Sequence, residues 1–128
     1  MQDQPHPSEV LGAVAEFLRN TVIPKADPLV AFQTRVAVNA LEMMRRQLDL
    51  APAAEAAELE RLVAILGHQG PLDDLNAQLA SRIAAGEVDL ETPGVRDHLW
   101  ATTLAKLAVD QPTYAAYRAA LNEQEQKR

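Results

Sequence analysis

Apolar residues recur at intervals of three and four along most of this chain, and prolines and glycines cut the periodic stretches into about six helical segments. The first spans 8–22, with a stripe of Val10, Leu11, Val14, Phe17, Leu18 and Val22 and with Ser8 as the expected N-cap. The second, 27–48, opens with Asp27 as cap and Pro28 in the first turn, where a missing amide costs nothing. Its arc of Leu29, Phe32, Val36, Ala40 and Met43 is widened by Val30, Ala37, Leu41, Met44 and Leu48. Arg35, Glu42, Arg45, Arg46 and Asp49 lie opposite, so this helix is expected to sit centrally and touch several others.

The third segment, 52–66, turns Leu59, Leu62, Val63 and Leu66 inward and stops at Gly67. The fourth, 71–85, has a thinner stripe of Leu72, Leu75, Leu79 and Ile83 and stops at Gly86. The fifth, 92–110, starts at Thr92 and Pro93 and is apolar nearly all round, a pattern of buried helices. Pro112 ends it and opens a last helix, 112–123, whose inward residues are Tyr114, Tyr117 and Leu121. No segment alternates like a strand. The expected fold is all-α: a compact bundle of about five or six helices, mostly antiparallel to their neighbours. The whole chain, 1–128, is expected to form a single helical domain ordered over about 8–121, with flexible ends at 1–7 and 122–128.

Composition narrows the function more than the fold. Aromatic residues make up 4% and charged residues 23% of the chain. A core poor in rings suits closely packed helices better than a sheet. The net charge of −6 disfavours nucleic acid and anionic membranes as partners. With no Cys there is no disulfide, zinc-thiolate site or thiol catalysis. No apolar run is long enough to span a bilayer, and the N-terminus lacks a basic region and apolar stretch, so the expected location is the cytoplasm.

Catalytic signatures are missing too. There is no phosphate loop, no GxGxxG, no GxSxG and no HExxH. No Glu-x-x-His pair exists for a di-iron bundle site, and no cofactor or metal is expected. Asp73 and Asp74 diverge as successive helix positions and read as first-turn acids favoured by the helix dipole.

Three polar or aromatic groups remain as candidates. Arg35 and Asn39, one turn apart, either grip an anion or partner backbone or serve internal structure. Lys106 and Asp110, one turn apart on a mostly apolar helix, form either a paired structural charge or an anion contact. Trp100, Tyr114 and Tyr117 either line a ligand pocket or fill the core. His98, lacking a visible orienting acid, reads as a polar-face or capping residue.

Two runs carry a resemblance. Phe32, Arg35, Val36, Ala37, Asn39, Ala40 and Leu41 match one motif, and Lys106, Leu107, Ala108, Val109, Asp110, Pro112 and Tyr114 match a second. The chain is similar, nearly to Leu121, to a family of small uncharacterised all-helical bacterial proteins, although Gly12 stands where members often carry a larger residue. The family's genes neighbour those for aminoglycoside-phosphotransferase-like kinases and acyl-CoA dehydrogenase-like flavoproteins. The resemblance therefore implies an accessory role near acyl-CoA metabolism, by analogy of context alone.

Two functional expectations follow. The first is a non-catalytic accessory protein that forms a homo-oligomer, most simply a dimer, or binds a kinase-like or dehydrogenase-like partner through apolar arcs too wide for a monomer to cover. The second is a small-molecule binder or minor enzyme. It would take an acyl-CoA or phosphorylated acyl group at Arg35, Asn39, Lys106, Asp110 and Tyr114.

Overall fold

Helical periodicity is realised throughout the computed structural model, which describes residues 3–127. Among them are five α-helices and no strand: α1 (Pro7–Phe17), α2 (Pro28–Leu66), α3 (Leu72–Ala84), α4 (Val95–Asp110) and α5 (Ala115–Gln126). The chain is all-α, as the periodicity predicts. Residues 1, 2 and 128, which belong to the expected flexible ends, lie outside the described residues. Two units divide between Ala51 and Pro52.

In the first unit α1 starts one residue before the expected cap. His6, not Ser8, is the N-cap: its Nδ1 accepts from the Ser8 amide at 3.3 Å. Glu9 Oε2 accepts from the His6 amide at 2.8 Å, completing a capping box. Pro7 takes the first helical position, which suits its fixed φ. The α-helix also stops short of Val22. Pro24 has no amide to donate and its ring crowds the carbonyl four residues earlier. The chain widens to a π-turn over Leu18–Val22, where Ile23 N–H bonds to the Leu18 carbonyl, and then tightens to a 3-10 turn over Ile23–Lys25. Asp27 caps α2 as expected, its Oδ1 accepting from the amides of Leu29 and Val30 at 3.0 and 3.1 Å.

The expected orientation of α2 is reversed in this unit. Its buried positions are Ala31 and Val38, seven residues apart, while Leu29 is 65% and Phe32 62% exposed. Val36, Met43, Met44 and Leu48 are exposed with them. The side that meets α1 is small and charged. Ala15 is fully buried, and a methyl on Gly12 would come within 3.0 Å of Arg45 Nη1. Arg19 Nη2 donates to Glu42 at 3.2 Å, and Arg45 Nη1 stands 3.6 Å from the same carboxylate. Gly12 against Arg45 and Arg19 against Glu42 run in opposite senses along the two helices, so the pair is antiparallel. Gly12, lacking a side chain, leaves room for the Arg45 side chain to lie against α1. Periodicity reveals which residues share a side, but not which side faces the protein.

The expected break before Pro52 is absent: α2 runs through it as one helix of 39 residues. Strong helix formers flank the proline on both sides, Leu50 and Ala51 before it and Ala53, Ala54 and Glu55 after it.

The second unit holds the larger core. Leu62 and Leu66 of α2, Leu75 and Leu79 of α3, Val88 of the following loop and Val95 of α4 form one buried cluster, with Leu59, Val63, Ile65 and Leu72 packed on it. The four buried leucines come from stripes visible in sequence, whereas Val88 lies between the expected fourth and fifth helices. Gly67 ends α2 at φ +80°, a left-handed conformation that side chains disfavour. The start of α4 is displaced from Thr92 to Val95. Asp89 Oδ1 accepts from the Glu91 and Thr92 amides at 2.9 and 3.0 Å, and Thr92 Oγ1 accepts from the Asp89 amide at 3.1 Å. These bonds hold Thr92 in a turn, so the helix begins after Gly94, at φ +85°. Nor is α4 buried all round: only Val95 and His98 are buried, and Trp100 is 53% exposed. The last helix is shifted from 112–123 to Ala115–Gln126, after a turn in which the Tyr114 amide bonds to the Gln111 carbonyl.

Candidate functional site

Helical spacing brings polar residues of the second unit together. On α4, His98, Thr102 and Lys106 recur every four residues and so share one face. On α3, Asn76 shares a face with Leu79, Ala80 and Ile83. These two faces enclose a half-open cavity of about 230 Å³, to which Leu99 and Thr103 also contribute. The α2 residues Glu58 and Arg61 supply the polar partners: Asn76 Nδ2 donates to Glu58 Oε1 at 2.8 Å, and Arg61 Nη2 donates to Thr102 Oγ1 at 3.3 Å.

His98 is the residue at issue. It is 2% exposed, and its Nδ1 has no hydrogen-bond partner. Arg61 Nε is likewise buried without one. Burial disfavours the charged ring and the Arg61 guanidinium repels it. Together these outweigh the attraction of Glu58 and lower its pKa below the ordinary 6.5. Near neutral pH the ring is therefore uncharged, with one nitrogen a donor and the other an acceptor.

This has a measurable consequence. The unfolded chain binds a proton on His98 near pH 6.5, whereas the folded chain binds it only at lower pH. The stability contributed by the neutral ring is thus fully present above pH 6.5 and is lost as pH falls through the folded value. Thermal melts from pH 7.5 to 5.5 are expected to show a falling Tm. In His98→Gln the slope flattens, whatever its absolute Tm; equal slopes in the two proteins would contradict the assignment.

The sequence-level candidates distribute between the two units. Arg35 and Asn39 are exposed on α2 in the first unit. Lys106, Asp110 and Tyr114 are exposed in the second, and of these only Lys106 lines the cavity. Among the described residues Lys106 and Asp110 form no ion pair with each other. Trp100 borders a second, open hollow with Leu90, Arg96, Asp97, Leu99 and Thr103. His98 departs most from expectation, being buried rather than on a polar face. Its acid, Glu58, lies forty residues away on another helix, out of reach of a search along the local sequence. The usable signal was the spacing of His98, Thr102 and Lys106 on a helix otherwise rich in apolar residues.

The described residues contain no group of three His, Asp or Glu placed to hold a metal ion. Among them no helix is long and apolar enough to cross a membrane. Comparison with curated proteins and with solved structures finds no match. Residues 24–114, which include all of α2, α3 and α4 and every cavity residue, match the family described as Domain of unknown function (DUF6285), and the chain belongs to that family.

Proposed function

We propose that this protein is a non-catalytic accessory module that self-associates through the outward arc of α2, with a second copy of the chain as the occupant. The supporting observation is the inverted α2: Ala31 and Val38 are buried while Leu29, Phe32, Val36, Met43 and Met44 are exposed along one side. From Leu29 to Met44 the stripe is about 22 Å long at 1.5 Å per residue. It offers several hundred Å² of apolar surface, more than scattered surface residues do and near the roughly 800 Å² that each partner contributes to a standard interface. A two-fold axis places identical stripes face to face, so each apolar side chain meets another and no new charge is buried.

The family resemblance extends this reading to a wider assembly. An aminoglycoside-phosphotransferase-like kinase or an acyl-CoA dehydrogenase-like flavoprotein is the proposed larger partner, in a cytoplasmic setting and near acyl-CoA metabolism. Co-expression and co-purification with such a kinase test that extension separately.

Light scattering on the purified chain is expected to give twice the 14.0 kDa chain mass. The double variant Phe32→Glu, Val36→Glu is expected to run at the single-chain mass with its helical circular dichroism intact, because both positions are exposed. A wild-type chain that stays monomeric at about 0.5 mM, where even a weak dimer of millimolar Kd is visibly populated, would remove the basis for the proposal.

A further inference from the structure

The cavity between α3 and α4 is independent of the α2 arc, and its lining has a definite chemical character. Lys106 is its one formally charged lining residue. Arg61 stands behind it, bonded to Thr102. The protein as a whole carries −6, so a locally cationic hollow runs against the general field. A cationic ligand would meet two like charges there against one carboxylate, Glu58, which already accepts from the Asn76 amide. An anion would meet one cation at the rim and a second behind the wall.

The hydrogen-bonding groups agree. Thr102 Oγ1 accepts from Arg61, which leaves its own proton free to donate. Thr103 has no such freedom, because its hydroxyl donates to the Leu99 carbonyl at 2.7 Å. His98 lines the cavity with Nδ1 buried and unpartnered. Nδ1 is closed to solvent, so the neutral ring forms part of the cavity wall rather than a donor to its contents. The Asn76 amide is held by Glu58, which keeps that carboxylate engaged on α2 and α3. The apolar part of the lining comes from Leu79 and Ile83 of α3 and Leu99 of α4.

We propose that this cavity binds a short-chain aliphatic carboxylate, its head group held by Lys106 and Thr102 and its hydrocarbon arm against Leu79, Ile83 and Leu99. The size fits: 230 Å³ holds roughly seven to eight water-sized groups at about 30 Å³ each, below the 300 Å³ at which drug-sized sites begin. A branched acid of seven non-hydrogen atoms fills the space, and its two oxygens match the Lys106 ammonium and the Thr102 hydroxyl.

The test is an NMR titration of the full chain with sodium isovalerate at pH 7.5, read at the Thr102 and Lys106 amides and the His98 ring. Saturable shifts confined to the cavity residues are expected, with Kd in the millimolar range. Acetate keeps the charge without the arm, and isoamyl alcohol keeps the arm without the charge. Each is expected to bind at least tenfold more weakly. Lys106→Met is expected to raise the isovalerate Kd about tenfold with unchanged circular dichroism, since Lys106 is exposed. Ile83→Ser, also at an exposed position, is expected to raise it several-fold. Absence of saturation, shifts outside the cavity, equal binding of the alcohol, or tighter binding of inorganic phosphate would each overturn the proposal. The oligomeric mass does not enter these readouts, so this proposal and the self-association reading fail separately.

Discussion

Leu62→Ala is expected to lower the unfolding free energy of the second unit by about 3–4 kcal/mol, in the middle of the range measured for buried leucines. Leu62 is 0% exposed, and its neighbours come from α2, α3, α4 and the loop holding Val88. Four separately anchored elements cannot all move inward to fill a missing isobutyl group, so much of the cavity persists. The cluster is also small for a helical unit, so little else compensates. Against a typical total of 5–15 kcal/mol, the loss removes a large share of the stability. Trp100 is the chain's one tryptophan and lies on α4, so its fluorescence reports this unit during urea unfolding. The midpoint should fall with little change in slope. A loss below about 1 kcal/mol would show that Leu62 does not anchor the core.

The second unit was more legible in sequence than the first. Leu62, Leu66, Leu75 and Leu79 occupy the inner faces of their helices because each stripe had one apolar side and one charged side. Gly67 and Gly86 stop α2 and α3 where expected, both at positive φ. The first unit misleads because α2 is apolar over about half its circumference. With so wide an arc, the side that packs is decided by the partner helix, and α1 presents Gly12 and Ala15. Neither small residue stands out in a hydrophobicity pattern.

The cavity was legible only in halves. Lys106 stands out as a cation in the apolar second half of α4, but the cavity residues on its face are Thr102 and His98, four and eight residues earlier, rather than Asp110, four residues later. Glu58 and Arg61 fall outside the inward stripe of Leu59, Leu62, Val63 and Leu66. Their role arises from which helix lies across from them, which no local spacing encodes. Thr92 misled for a different reason: it is an excellent capping residue, but Asp89 three residues earlier engages it first, and a turn replaces the first helical turn.

Pro52→Ala is expected to raise stability by about 2 kcal/mol. Proline in a helix interior is about 3 kcal/mol less favourable than alanine, because its ring crowds the carbonyl four residues earlier and no amide reaches that carbonyl. At Pro52 the affected carbonyl is that of Leu48, and α2 continues without interruption on both sides. Alanine restores the missing bond within a run already rich in alanine, and Pro52 is exposed, so no buried contact is lost. Part of the gain is offset because proline restricts the unfolded chain, an effect of roughly 0.4–1 kcal/mol. The expected result is a Tm several degrees higher and slower amide exchange around residues 49–55. The local exchange matters as much as the melting point. If exchange slows while Tm stays fixed, the helix at Pro52 opens independently of global unfolding, and the boundary between Ala51 and Pro52 is also a boundary in cooperativity. If Pro52→Ala lowers Tm instead, the proline supports the fold despite its missing bond, and the expected cost of its place in α2 is wrong in sign.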